Sequence, residues 1–170
     1  MSPVGTEKTV REGSLEKRTA ILSATSESLL ATVRRALDEH LPQDARLTTV
    51  PDLEKALTAL AVELGTSIVG SADYAAGFAL VAQERLRTPM TKDDIATVAV
   101  EEVFADRLAR FADAGLLDTD NPRLAADHFF ALTVLLAYDR QPVPANPDPD
   151  QVRRTMIDGA HAFIRAYGTR

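Results

Sequence analysis

Ten residues near the end of the chain, Phe129 to Tyr138, are apolar at every position except Thr133. Asn121 followed by Pro122 is a strong start for a helix that would carry them. A helix that is apolar on all sides needs burial on all sides, yet this stretch is far shorter than the roughly 20 residues that cross a bilayer. The sequence therefore predicts a helix covered by protein: its own core on one side and a second subunit on the other.

The rest of the chain shows the same helical period. Apolar residues recur three or four positions apart between helix start and stop signals. This pattern predicts five further helices, at about residues 29–41, 51–69, 72–88, 91–115 and 149–167. No alternating run typical of a strand is present. The sequence thus predicts an all-α domain of about six helices, and it leaves open whether Leu15 to Ala24 is a separate helix or an extension of the first.

The domain organisation follows from length and from the polar start. A chain of 170 residues is the usual size of one domain. Residues 1–14 are polar, include Pro3, Gly5 and Gly13, and lack an apolar period. We expect them to form a disordered lead, with residues 15–170 forming a single helical domain.

Composition and charge exclude several classes of function. The net charge is −6, and the basic residues of the first 41 positions alternate with acidic ones, so no nucleic-acid footprint is predicted. The absence of cysteine removes disulfides and thiolate chemistry. Residues 1–9 lack the apolar core of a secretory signal, and no apolar run suits a membrane span. We therefore expect a cytoplasmic protein that does not contact membranes.

No constellation for catalysis or for metal binding is predicted. Asp158 and His161 form a single acid–histidine pair, whereas a carboxylate-bridged metal bundle needs two such pairs. The neighbouring Glu101 and Glu102 need not face one site, because adjacent residues on a helix point about 100° apart; a solvated face is the favoured interpretation. We expect no enzyme activity, no cofactor and no metal.

Aromatic residues on three helices that must pack together could outline a ligand pocket among many small side chains. A polar residue, Arg85, could orient the ligand, although a surface ion pair explains it equally well. The alternative is that the aromatic residues simply fill the core. The candidate ligand contacts are Tyr74, Phe78, Arg85, Phe104, Phe111, Phe129 and Thr133.

Three segments of the second half carry a family resemblance: residues 111–117 (FADAGLL), 120–126 (DNPRLAA) and 157–164 (IDGAHAFI). Together with the apolar helix between them, they resemble the C-terminal regulatory domain of the TetR family of bacterial repressors. At the front, residues 18–24 (RTAILSA) resemble the helix that opens the family's DNA-binding part. Residues 26–30 (SESLL) resemble the start of the helix that follows that part.

Only Thr25 lies between these two front segments. In the family this interval holds the rest of a helix-turn-helix unit, including the recognition helix that enters the major groove. None of it is present here, so the helix-turn-helix is truncated. The resemblance thus implies that this chain does not bind operator DNA by itself.

The part of the family's chain that this sequence does resemble is the regulatory domain. The resemblance implies that it binds a small apolar effector and dimerises. It implies a homodimer, or a heterodimer with a full-length relative, in which the last two helices of each chain form a four-helix interface. The implied interface residues are His128, Leu132, Leu135, Met156, Ala160, Phe163 and Ile164. The alternative is a helical protein–protein interaction module that binds no ligand.

Overall fold

The computed structural model describes residues 5–87 and 97–170. Its helices are α1 (Gly5–His40), α2 (Val50–Leu64), α3 (Ala72–Arg87), α4 (Thr97–Asp113), α5 (Pro122–Phe130), α6 (Leu136–Asp139) and α7 (Pro149–Tyr167). Two π-helical segments, π1 (Gly65–Val69) and π2 (Ala131–Leu135), extend α2 and join α5 to α6. Counting α5–π2–α6 as one rod, the described ranges hold six helices and no strand. The all-α prediction is confirmed.

The first helix is longer than the sequence pattern indicates. Residues 15–24 extend it rather than forming a separate helix, and α1 continues without a break to His40. Residues 5–14 are helical where the sequence predicts a disordered lead, while the division of the chain at residue 15 stays a prediction. The predicted start of the fourth helix, at about residue 91, lies outside the described residues.

The predicted helix ends have the expected chemistry. Asn121 caps α5, since its side-chain oxygen accepts a hydrogen bond from the amide of Leu124 at 3.0 Å. At the end of α4, Gly115 has φ +75°, a conformation that suits glycine. There the amide of Leu116 donates to the carbonyl of Phe111 at 2.9 Å. These local signals place the helix ends in the structure.

The core lies where α7 packs against α2 and π2 and where α4 packs against α5. Three phenylalanines from three helices fill its centre without any exposed surface. The ring of Phe129 lies 4.9 Å from that of Phe104 and 5.3 Å from that of Phe163, measured between centroids. Such tilted and edge-on pairs add to the energy of burying the rings.

The predicted apolar helix is the rod α5–π2–α6. Within π2 the amide of Leu136 reaches the carbonyl of Ala131, five residues back, instead of the usual four. The buried hydroxyl of Thr133 donates to the carbonyl of Phe129 at 2.6 Å. The polar side chain in the apolar run therefore satisfies a backbone acceptor. In the part of the chain that is described, no helix has both the length and the apolar character needed to cross a membrane.

Candidate functional site

A cavity of about 190 Å³ lies between α1, π1, α3, α4 and the rod α5–π2–α6. Its wall is apolar along most of its extent. From the first half of the chain come Leu29, Val33, Ile68 and Phe78, and α4 adds Val100. Its volume is below the roughly 300–1,000 Å³ of pockets for drug-sized molecules, so it suits a small ligand.

The rod supplies one continuous stripe of the wall. Its members are Asp127, Phe130, Ala131, Val134, Leu135 and Tyr138, which recur at helical spacing and so share one side of the rod. The ring of Tyr138 meets that of Phe78 edge-on, with centroids 5.2 Å apart. The helix that the sequence predicts to be buried on all sides therefore borders a cavity along one side.

Two acidic residues are among those that line the cavity, although the surface that it exposes is almost entirely apolar. Glu101 of α4 and Asp127 of α5 both line it, and both contact the guanidinium of Arg123. The distance from Arg123 Nη2 to Glu101 Oε2 is 2.5 Å, and that from Arg123 Nε to Asp127 Oδ1 is 3.4 Å. Glu102 approaches Arg123 Nη1 at 3.6 Å from the solvent side. Three carboxylates thus share one guanidinium.

This arrangement affects the two ends of the ion pair differently. Burial raises the pKa of Glu101, and the repulsion by Asp127 adds to that effect, so together they outweigh the bond from Arg123. The pKa of Arg123 is also raised, because its bonds to Glu101 and Asp127 outweigh its own loss of water. Two carboxylates stabilise the positive charge of Arg123. Glu101 shares its guanidinium partner with Asp127, so the stabilisation of its negative charge does not offset the cost of burial.

A pH dependence follows for the variant Glu101→Gln. A carboxyl whose pKa is higher in the folded state than its ordinary value of 4.5 lowers stability as the pH rises through the interval between the two values. We therefore expect Glu101→Gln to be more stable relative to wild type at neutral pH than below pH 4.5, that is, to have a higher relative free energy of unfolding. Urea denaturation at both pH values measures this difference. Glu102→Gln is the matched control, and a relative stability that does not change with pH would contradict the expectation.

The predicted ligand contacts lie in three places. Phe78 lines the cavity. Phe104, Phe111 and Phe129 lie in the core, together with Thr133. The buried Tyr74 turns its hydroxyl to Thr32 at 3.0 Å and to Ser28 at 3.1 Å, on α1. The side chain of Arg85 lies outside the described residues. Ligand contact by these residues stays a prediction, and other residues form most of the cavity wall.

The predicted interface residues divide by helix. On the rod, His128 and Leu135 are exposed and Leu132 is half-buried. Leu135 is 63% exposed, which is unusual for a leucine in an apolar helix. On α7 the predicted residues Met156, Ala160, Phe163 and Ile164 are buried in the core of the chain. Contact of these four with a partner stays a prediction, because only the rod presents predicted interface residues to solvent.

A second concave region is a wide groove of about 660 Å³ between α2 and α7. Most of the residues that line it are polar or charged, among them His40, Glu54, Lys55 and Arg153. His161 also lines it and lies 3.8 Å from Glu54, measured from Nε2 to Oε1. Within the described ranges, no three or more acidic, histidine or cysteine side chains are arranged to hold a metal ion. The apolar cavity is the stronger candidate site.

Comparison with known proteins adds two matches. Residues 55–169 match the family model described as the AefR-like transcriptional repressor, C-terminal domain. The fold is similar to the solved structure of a TetR-family transcriptional regulator from Mesorhizobium loti, with a TM-score of 0.65. That alignment covers 91% of this chain and 73% of the other at 16% sequence identity, so the likeness is one of fold. No curated protein matches the sequence.

Proposed function

Because this chain belongs to the TetR family of transcriptional regulators, through an AefR-like C-terminal domain, we propose that it binds a small effector and dimerises. The observation that carries the proposal is the apolar cavity of about 190 Å³ between α1, α3, α4 and the rod. Concave sites lined mainly by apolar and aromatic side chains are typical of small-molecule sites. The effector would lie against Phe78, Phe130 and Tyr138, and no reaction is assigned to it.

A second copy of the chain would cover the exposed face of the rod, whose members Ala131 and Leu135 also line the cavity. Leu124 is 46% exposed and Leu135 is 63% exposed, and the exposed Ala131 and His128 lie between them. These four positions are three or four residues apart and form one face. Exposed apolar side chains that recur along a helix are typical of an interface between helices. The proposed dimer therefore forms through the rod.

The unbroken α1 supports the proposal that this chain does not bind operator DNA by itself. The helix continues from Gly5 to His40 through Thr25, where the family places the rest of its helix-turn-helix. Recognition of an operator by this motif needs a second helix in the major groove, whereas the described part of α1 is one continuous helix at this position. A regulatory role would then depend on the effector and on a partner chain.

A cavity-filling variant tests the effector site. We expect the wild-type chain to bind the neutral apolar dye N-phenylnaphthylamine, one molecule per chain, and to form dimers in native mass spectrometry. Val134→Phe replaces a small aliphatic side chain of the cavity wall with an aromatic ring. It should weaken dye binding about tenfold or more in a fluorescence titration. Val143→Phe makes the same change at a loop position that is 56% exposed, so it should bind the dye like wild type.

Each part of the proposal has its own contrary outcome. If circular dichroism shows both variants folded and Val134→Phe binds the dye as well as Val143→Phe, the dye binds elsewhere. That result would contradict the proposed effector site. A dimer without a dye site would favour the interaction module. A monomeric wild-type chain at micromolar concentration would contradict the proposed interface.

A further inference from the structure

Two residues of the rod belong both to the cavity wall and to the proposed dimer face. Ala131 and Leu135 line the cavity, and both are exposed on the face that a second copy would cover. We propose that the second copy completes the effector site, so that each chain binds its ligand more tightly in the dimer and the ligand in turn strengthens the dimer. This inference rests on the proposed function and adds a means of regulation to it.

The exposure of the wall residues locates the side of the cavity that a partner would cover. Of the wall residues that the structure describes, Ala131 and Leu135 are the only two that are exposed. The wall residues from α1, π1 and α4 include three that are buried, namely Val33, Ile68 and Val100. The wall is therefore buried where these elements form it and reaches solvent at the rod.

The helical period explains why two residues belong to both surfaces. The cavity side of the rod includes Asp127 and Tyr138, whereas the dimer face includes Leu124 and His128. Residues three or four positions apart share one side of a helix, so each set forms a stripe along the rod. The two stripes adjoin, and the shared residues lie on their common edge. A helix packed on the dimer face would thus contact side chains that the ligand also contacts.

The expected size of the linkage follows from the burial of apolar surface. In one chain alone, apolar surface of Leu135, and of a ligand beside it, stays in water. A tenfold gain in ligand affinity is about 1.4 kcal/mol, which corresponds to removing about 55 Å² of apolar surface from water, or about two methylene groups. The partner would also fix the rotamer of Leu135, so the ligand would not have to order this side chain.

Dimerisation with and without a ligand tests the linkage. The probe is N-phenylnaphthylamine, and equilibrium ultracentrifugation of the full chain gives the dimer dissociation constant. If each chain binds the dye about tenfold more tightly in the dimer, saturating dye should lower this constant about a hundredfold, because a dimer holds two sites and linkage is reciprocal. A constant that stays the same or rises with the dye would overturn the proposal.

A monomeric variant with an unchanged cavity wall tests the linkage independently. Leu124 lies on the dimer face and is 46% exposed, but it is not part of the described wall. Leu124→Lys should produce monomers and weaken dye binding about tenfold at concentrations at which the wild-type chain is dimeric. Leu86→Lys makes the same change at an exposed leucine of α3, away from both surfaces. This control should stay dimeric and bind the dye like wild type.

The outcomes separate this inference from the proposed function. A folded Leu124→Lys monomer that binds the dye like wild type would show that one chain holds the complete site, so the linkage would be wrong and the effector site would stand. If circular dichroism shows this variant unfolded, dilution of wild type gives the same comparison. Its dye affinity should fall about tenfold below the dimer dissociation constant. A wild-type chain that binds no dye, or forms no dimer, would contradict the proposed function and the linkage together.

Discussion

Replacing Gly159 with alanine is expected to lower the free energy of unfolding by about 2–3 kcal/mol, although alanine is the better helix former by about 1 kcal/mol. Gly159 lies where α7 crosses π2. A Cβ atom at this position would lie 2.2 Å from the carbonyl oxygen of Leu132 and 2.9 Å from Cγ2 of Thr133. The obstructing group is backbone, which cannot rotate away, so the two helices would have to move apart and lose contacts in the core.

The matched control is Gly77→Ala in α3. There the added Cβ would meet Cγ2 of Thr25 at 2.6 Å. Thr25 is a partly exposed side chain that can turn if it gives up its bond to the carbonyl of Ile21. We expect a change of about 1 kcal/mol or less, measured for both variants by urea denaturation. If Gly159→Ala also changes the free energy of unfolding by about 1 kcal/mol or less, the crossing of α7 and π2 tolerates a methyl group.

The crossing at Gly159 also connects the core to the candidate site. The π2 segment contacts α7 through Leu132 and Thr133 and supplies Ala131, Val134 and Leu135 to the cavity wall. A shift of α7 would therefore move one wall of the cavity. We expect the Gly159→Ala variant to lose affinity for apolar probes as well as stability.

Helix type and helix ends could be predicted because they depend on local chemistry. Asn121 with Pro122 and Gly115 act on their own backbone neighbours, and the structure places helix ends at these positions. The π segments could not be predicted in this way. They depend on how the rod and α2 pack against α7. The apolar period of Phe129 to Tyr138 is the same whether the helix is α-helical throughout or contains one π-helical turn.

The candidate site was less predictable, because its wall combines residues that are distant in the sequence. Leu29 and Val33 follow the apolar period of the first helix, which predicts burial but not that these two residues line a cavity. Glu101 reads as part of a solvated face, but Arg123, 22 positions later, bonds to it. Such a pair can be recognised only after the packing of α4 against α5 is known. Phe78 is the one predicted ligand contact on the described wall.

Loss of the buried arginine of α4 is the second large effect that we expect. Arg107 is 5% exposed. Its Nη1 donates to the carbonyl of Leu41 at 2.9 Å and its Nη2 to Oδ1 of Asp38 at 2.8 Å. The side chain thereby satisfies a backbone acceptor just after the end of α1, where helix carbonyls lack partners. It ties α1 to α4, both of which border the cavity.

Arg107→Met keeps the aliphatic stem but removes the donors, so the carbonyl of Leu41 stays buried without a partner. We expect the free energy of unfolding to fall by about 2–3 kcal/mol. Asp38→Ala should cost less than about 1 kcal/mol, because the side chain of Asp38 is 69% exposed. Arg110→Met, at an exposed position of the same helix, controls for the loss of a positive charge. If all three variants unfold at the same urea concentration as wild type, the bond to Leu41 does not stabilise the domain.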